Sequence, residues 1–361
     1  MENTNYDKQN YNAIDLTKFI CSILVVAIHI QPFGNNVNFR FLNYGIQNYL
    51  ARIAVPFFFV TSGFLLYRKT VFENFSIEKL LKYVLKLFRL YVIWSLIYLP
   101  LNIKTFISGE KGVIHFLLEY VRNFIFTGSY TQLWYLNATI FAVVLITILL
   151  LKHIVPKKII ICAAVFYFFG LFAQSYFGII EPLRNSMPNL WNILKLFSKV
   201  IVTTRNGLFE GFLFVGIGMF FAFYHEKFLN CNRGRVIAGF VISMLLMFGE
   251  TVILKYFNFV RARDMYLFLV PATIFLFCIV YNLHLKDNKI YQYLRILSSL
   301  IFYMHLWIFK IVNYILKKLN IDFENSMLCF MFTVIIIIIC SIIIIKLSNT
   351  HRFKWMKKLY S

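Results

Sequence analysis

Apolar stretches long enough to cross a membrane recur along this sequence. Each runs for about 20 residues, the length that a helix needs to span a hydrocarbon core of about 30 Å. Hydrophobic residues make up 60% of the 361 residues and charged residues only 14%, whereas about a quarter of the residues in soluble domains are charged. We therefore predict an all-α fold, a polytopic membrane helix bundle of about ten transmembrane helices.

Polar breaks between the apolar stretches set the predicted helix bounds. The helices are expected at residues 14–32, 46–67, 84–101, 133–151, 158–177, 206–224, 235–254, 264–284, 297–315 and 327–346. Residues 1–13 would then form an N-terminal tail, residues 14–346 one membrane domain, and residues 347–361 a basic C-terminal tail. The connections 102–132 and 178–205 are unusually long, and interfacial helices over an outward-facing site are one interpretation of them.

The net charge of +22 comes from short Lys and Arg blocks between the apolar stretches. Such blocks determine topology and contact lipid headgroups, so membrane lipids are expected partners and nucleic acid is not. The blocks are densest in the second, fourth, sixth and eighth connections and near residue 355. By the positive-inside rule, both termini are predicted to lie in the cytoplasm.

The first predicted helix carries three ionisable side chains, at a depth where such groups are costly and usually functional. Asp15 and Lys18 are three positions apart and can pair on one face. Lys18 and His29 are eleven positions apart, about three helical turns, so both point to the same side. A structural interpretation stays open, in which Lys18 reaches the headgroups and His29 bonds a carbonyl.

The second predicted helix begins with Arg52, at a depth comparable to that of His29. A base and a fixed cation at one depth are typical of a catalytic pair, so the candidate catalytic residues are His29, Arg52 and Asp15. In the third helix, Lys86 and Arg89 belong to a basic stripe. The positive-inside rule explains such a stripe, and a phosphate-binding mouth is the sharper interpretation.

Further polar residues lie in the later helices. Arg205 and Asn206 open a helix that contains Glu210, and the sequence assigns no role to Glu210 or Glu250. For His305 in the ninth helix, a structural role is the stronger interpretation. The motifs HExxH and GxSxG, Walker loops and CxxC pairs are absent from the sequence, so we expect no metal.

Five segments, in order, resemble the landmarks of the acyltransferase-3 family of integral-membrane acyltransferases. Lys18, ten intervening residues and His29 resemble its Arg/Lys-x10-His element. Phe59, Ser62 and Gly63 match its FxxSG element. The other three segments are residues 133–141, 205–218 and 298–308.

The resemblance implies a ten-helix enzyme of the bacterial cytoplasmic membrane that moves an acyl group, usually acetyl, from cytoplasmic acyl-CoA to a hydroxyl. The acceptor would be a cell-envelope glycan or a related molecule, and a separate extracytoplasmic transferase is a possible partner. His29 would be the base or the acyl carrier. The residues expected to bind acetyl-CoA are Lys18, Lys86, Arg89 and Ser62. The residues expected to bind the acceptor are Arg205, Asn206, Trp134 and His305.

The alternative is a membrane transporter of amino acids or other small molecules. The RNGLF stretch is similar to the membrane half of serine racemases from vancomycin-resistance systems, although we expect no racemase domain in this sequence. The same polar residues would then line a substrate or proton pathway. The sequence shows no inverted repeat, which weighs against this reading, and a purely structural scaffold leaves the charges of the first helix unexplained.

Overall fold

A computed structural model gives the architecture of residues 11–34, 37–72, 77–107, 109, 112–229, 231–320 and 326–361. Within these ranges all regular structure is helical, as predicted. Most of the predicted N-terminal tail, residues 1–10, lies outside the described residues. Helix α1 begins at Asn12, close to the predicted start of the first transmembrane helix.

Sixteen α-helices occur in the part of the chain that the structure describes. They are α1 Asn12–Ile30, α2 Arg40–Asn48, α3 Ala54–Phe72, α4 Ile77–Ile107, α5 Val113–Phe126, α6 Trp134–Leu151, α7 Pro156–Leu171, α8 Phe177–Ile180, α9 Leu183–Ser186, α10 Pro188–Ile201, α11 Phe212–Phe223, α12 Glu226–Leu229, α13 Arg233–Tyr256, α14 Leu269–Tyr281, α15 Ile290–Lys318 and α16 Met327–Ser348. Short 3₁₀ segments are Val37–Phe39, Leu50–Ile53 and Lys354–Leu359, and a π-helical turn, Gly207–Gly211, precedes α11.

Seven of the ten predicted spans coincide with helical segments that are long and apolar enough to cross a membrane. The other three predicted spans correspond to shorter helices, α7, α11 and α14. Helix α15 runs in the same direction as α1, because Arg295 contacts Asp15 and, further along both helices, His305 contacts His29. Parallel helices require an odd number of crossings between them. If the four long helices that lie between α1 and α15 all cross the membrane, at least one of the shorter helices must cross it too.

Glycines allow α3 and α11 to pack backbone against backbone at the centre of the bundle. Helix α11 is apolar on all sides and almost entirely buried, as expected for a helix surrounded by other helices. A side chain added at Gly63 would collide with the main-chain oxygen of Val215, and one at Gly218 with that of Val60. This close approach is typical of small residues at helix interfaces in membranes.

The two long connections contain helices, as predicted. Helix α5 lies in the first and α10 in the second, and neither has a fully buried residue among those described. The C-terminal segment differs from the simple tail that the sequence predicts. It folds back on α4 and α16, because Trp94 Nε1 donates to the main-chain oxygen of Leu359 at 3.0 Å and the hydroxyls of Ser348 and Tyr360 share a hydrogen bond of 2.7 Å.

The α3–α11 contact predicts a position-specific effect of adding one methyl group. Gly218→Ala should lower the melting temperature of the purified protein in detergent, by the equivalent of about 1–3 kcal/mol, because overpacking strains the backbone. Gly249→Ala is the matched control, since nothing lies within 4 Å of a side chain added there. Equal melting temperatures for the two variants would contradict the packing described.

Candidate functional site

Two groups of polar and charged side chains lie at opposite ends of α1. The His29 cluster consists of His29, His305, Arg52, Arg205 and Asp264. The Lys18 cluster consists of Asp15, Lys18, Lys86 and Arg295. Lys18 and His29 are separated by about 16 Å of helical rise. A single helix, α1, therefore connects two distinct charged regions.

The centre of the His29 cluster is a pair of histidines from neighbouring helices. His29 is half-buried near the end of α1, and its ring centroid lies 5.1 Å from that of the fully buried His305. Nδ1 of His305 lies 2.8 Å from the main-chain oxygen of Phe302, which favours the tautomer that donates from Nδ1. Nε2 of His305 is buried and has no hydrogen-bond partner among the described residues. In that tautomer it can accept a proton from a neighbouring donor.

Two arginines from different segments converge on one carboxylate beside the histidines. Nη1 of Arg52, in the 3₁₀ turn before α3, lies 2.7 Å from Oδ1 of Asp264. Nη1 of Arg205 lies 3.3 Å from the same oxygen, and its guanidinium stacks 5.1 Å from the Trp134 ring centre. The charges of all three ionised groups act on His29. The cluster thus places fixed cations beside an imidazole, the arrangement that stabilises a developing oxyanion.

Asp264 lies in the connection between α13 and α14, outside the helices. Burial alone raises the pKa of its carboxyl, but the guanidinium groups of Arg205 and Arg52 outweigh burial and hold the pKa below its ordinary value. The carboxylate therefore stays ionised at neutral pH. It holds both arginines in place, since each donates to it.

Glu250 explains how the connection that carries Asp264 is held. Its carboxylate accepts hydrogen bonds from the main-chain N–H groups of Leu267 and Phe268, at 2.6 and 2.9 Å, and from the hydroxyl of Tyr176 at 2.7 Å. These N–H groups lie at the start of α14, where a helix favours negative charge. The role of Glu250, which the sequence leaves open, is thus to fix the start of α14.

Asn206 and Glu210 differ in how their polar atoms are used. Asn206 was expected to bind the acceptor, but its Oδ1 accepts from the N–H groups of Leu208 and Phe209 and its Nδ2 donates to Thr203. It therefore caps the π-helical turn. Glu210 is buried in that turn, and the charges of the His29 cluster act on it. Its Oε2 has no hydrogen-bond partner among the described residues.

The Lys18 cluster combines α1, α4 and α15. The carboxylate of Asp15 lies 3.0 Å from Nε of Arg295. Arg295 of α15 is therefore an ion-pair partner of Asp15, the role that the sequence predicts for Lys18. Lys86 and Arg295 both act electrostatically on Lys18. Asp15, a predicted catalytic residue, is about 21 Å of helical rise from His29, and the structure does not bring the two together.

The predicted CoA-binding residues divide between this cluster and its surroundings. Lys86 belongs to the cluster, whereas Arg89 donates to the main-chain oxygen of Ser361 at 2.6 Å in the folded C-terminal segment. Ser62 lies on α3, ten positions after Arg52, and its hydroxyl shares a 2.8 Å hydrogen bond with that of Tyr135. Ser62 is half-buried and sits at a depth between the two charged clusters.

A family model described as an acyltransferase domain matches residues 11–346. The match covers both charged clusters and nearly the whole sequence. The chain belongs to the acyltransferase-3 family. The family assignment made from its motifs is confirmed.

Three curated racemases are also similar to this acyltransferase-3 member. Two amino-acid racemases of Enterococcus faecalis are 31% and 30% identical over 78% and 94% of the chain, which are 37% and 46% of those proteins. A serine/alanine racemase of Enterococcus gallinarum is 26% identical over 94% of the chain and 46% of its own length. The chain thus spans less than half the length of these relatives. No solved structure matches it.

Two charged residues of this family member were missed in the sequence. Asp264 falls at the predicted edge of the eighth helix and is the only acid between Arg261 and Glu324 besides Asp287 and Asp322. A carboxylate at that depth is a signal for a functional or paired group. Arg295 was assigned to topology alone, and its proximity to Asp15 follows only from the packing of α15 on α1.

Removing the shared carboxylate should weaken the fold of this family member. Asp264→Asn leaves two half-buried guanidinium groups without their anion, so we expect a loss of about 3 kcal/mol, measured as a lower melting temperature in detergent. Glu181→Gln, which removes an exposed carboxylate, is the control and should be neutral.

A double-mutant cycle with Arg205→Gln identifies the interaction behind this loss. The combined loss for Arg205→Gln and Asp264→Asn should be smaller than the sum of the single losses. Strict additivity would show that these two groups do not interact.

Proposed function

We propose that this protein transfers an acyl group, with acetyl as the default, from acyl-CoA to the hydroxyl of a cell-envelope glycan or related acceptor. One observation carries the proposal: the ring of His29 packs against a buried histidine, the charges of two arginines act on it, and the other end of its helix bears the Lys18 cluster. Family membership supports the reaction class.

The Lys18 cluster is the proposed site for the phosphates of CoA. Lys18, Lys86 and Arg295 supply three cations against the single carboxylate of Asp15, and such an excess suits a polyanionic donor. In the proposed orientation this end faces the cytoplasm, as the positive-inside rule predicts. The pantetheine arm then extends along α1 past Ser62 toward His29.

At the other end, His29 acts on the acceptor hydroxyl. Its imidazole takes the hydroxyl proton while the oxygen attacks the thioester carbonyl, and the carbon–sulfur bond breaks to release CoA, whose sulfur receives the proton. Arg52 and Arg205 stabilise the oxyanion formed on the carbonyl. His305 is a positioning residue, whose ring packs against that of His29 with its unpartnered Nε2 available to accept a hydrogen bond. Transfer through an acyl-imidazole on His29 uses the same groups.

Transport of an amino acid or another small molecule is the second candidate. The similarity to enterococcal amino-acid racemases favours it, since the names of those proteins make amino acids the small molecules to test. The two candidate functions differ in their need for acyl-CoA, since acyl transfer consumes this donor and transport does not. Uptake of a labelled amino acid by proteoliposomes without acyl-CoA, together with no thioester consumption, would favour transport.

Acyl transfer depends on His29 in a way that can be measured directly. We expect His29→Ala to lower the rate of thioester loss from acetyl-CoA by about 10²- to 10⁴-fold, because a general base contributes that much. The protein is assayed in nanodiscs with a hydroxyl acceptor extract from the cell envelope. His284→Ala, which changes an exposed histidine, should retain the wild-type rate. Equal turnover by the His29 variant would exclude His29 as the catalyst.

The proposed donor site predicts an effect on binding rather than on turnover. Lys86→Gln should raise the KM for acetyl-CoA about fivefold at unchanged kcat, because a phosphate contact made equally in ground and transition states is lost. Lys152→Gln removes an exposed lysine elsewhere and is the control. A donor without the nucleotide, S-acetyl-N-acetylcysteamine, should show no difference between Lys86→Gln and the wild type. An equal loss with both donors would contradict phosphate binding by Lys86.

A further inference from the structure

A groove of about 1250 Å³ lies between α7 and α10 at the end of the bundle that bears the His29 cluster. Its walls are mostly aromatic and aliphatic. The aromatic lining residues are Phe166, Phe169, Phe172, Phe177, Trp191, Phe197 and Phe209. Its polar end is formed by Thr203 and Thr204, which directly precede Arg205, and by Gln174.

Cations surround the apolar interior of this groove. Lys195 and Lys199 lie one turn apart on α10. Arg184 of α9 and Arg261 of the connection between α13 and α14 also line the groove. All four are exposed, and the guanidinium of Arg261 sits 4.9 Å from the ring centre of Phe177. No Asp or Glu is among the described residues that line the groove. Its rim is therefore positive, without a carboxylate in its lining.

Helix α10 leaves the groove accessible from the bilayer. Its apolar side chains Ile193, Leu196 and Phe197 are exposed beside its lysines. A helix with this division of apolar and cationic residues lies in the interface between headgroups and hydrocarbon. A lipid beside α10 can thus enter the groove with its headgroup at the depth of the cations.

We propose that the groove binds an anionic phospholipid, with a hydrocarbon chain between α7 and α10 and the phosphate at the cationic rim. The apolar walls match a hydrocarbon chain, and Lys195, Lys199, Arg184 and Arg261 match its phosphate. A soluble anion would match only the rim, and a neutral lipid only the walls. The inference concerns binding and holds for either candidate function.

Trp191 in the wall of the groove provides a local reporter. The full chain is placed in phosphatidylcholine nanodiscs that contain a low mole fraction of brominated phosphatidylglycerol or, in parallel, of brominated phosphatidylcholine. Bromine on the chain quenches a tryptophan that it contacts, and subtraction of the Trp191→Phe signal isolates Trp191 from the other tryptophans. We expect several-fold stronger quenching of Trp191 by the anionic lipid.

Two charge-matched double variants test the rim. Lys195→Gln/Lys199→Gln should remove most of the several-fold preference for phosphatidylglycerol, because it removes two of the four cations of the rim. Lys157→Gln/Lys158→Gln removes two exposed lysines at the far end of α7 and should preserve the preference. Equal quenching by both lipids in the wild type would overturn the proposal without reliance on any variant. So would a preference that is unchanged in the Lys195/Lys199 variant.

Discussion

The carboxylate of Asp264 is the interaction on which the His29 cluster depends. It joins Arg52, from the turn before α3, to Arg205, from the turn before α11. Without it, two guanidinium groups would lie together next to an imidazole in a medium that screens charge poorly, which is costly. Asp264 is itself held by the start of α14, where Glu250 accepts two main-chain N–H groups. A buried glutamate therefore holds the connection whose aspartate fixes two arginines, and the charges of those arginines act on the candidate catalytic histidine.

Helix α1 connects this cluster to the opposite end of the bundle. It packs against α3 and α15 along its length, so its ionisable groups face the interior rather than lipid. The glycine-mediated contact of α3 with α11 brings the turn that contains Arg205 close to the one that contains Arg52. Backbone packing without side chains is thus a condition for the site geometry, since a wider helix spacing would separate the two arginines.

The sequence predicted the class of fold and the position of seven membrane-length helices, because hydrophobic length is a local property. It also predicted that His29 and Arg52 share a depth, since rise along a helix is fixed. The partners of charged groups were not predictable in the same way. Asp15 pairs with Arg295, which is 280 positions away. Asp264 pairs with Arg52 and Arg205, which lie in two other segments of the chain. Such partners depend on tertiary packing. The capping role of Asn206 was not predictable either, because it depends on the π-helical turn that follows. The count of ten crossings and the orientation stay predictions.

Cations outnumber carboxylates at both ends of α1, by two at the Lys18 end and by one at the His29 end, but the two ends differ in how exposed the cations are. At the Lys18 end three cations face the single carboxylate of Asp15, and Lys86 and the Arg295 side chain are largely exposed, so an arriving polyanion can complete the pairing at little desolvation cost. At the His29 end the two arginines are mostly buried and already share Asp264. A permanent anion there would have to compete with that carboxylate, whereas a transient oxyanion needs only the guanidinium N–H groups that Asp264 does not occupy. The difference in burial therefore favours ground-state binding at one end and transition-state stabilisation at the other.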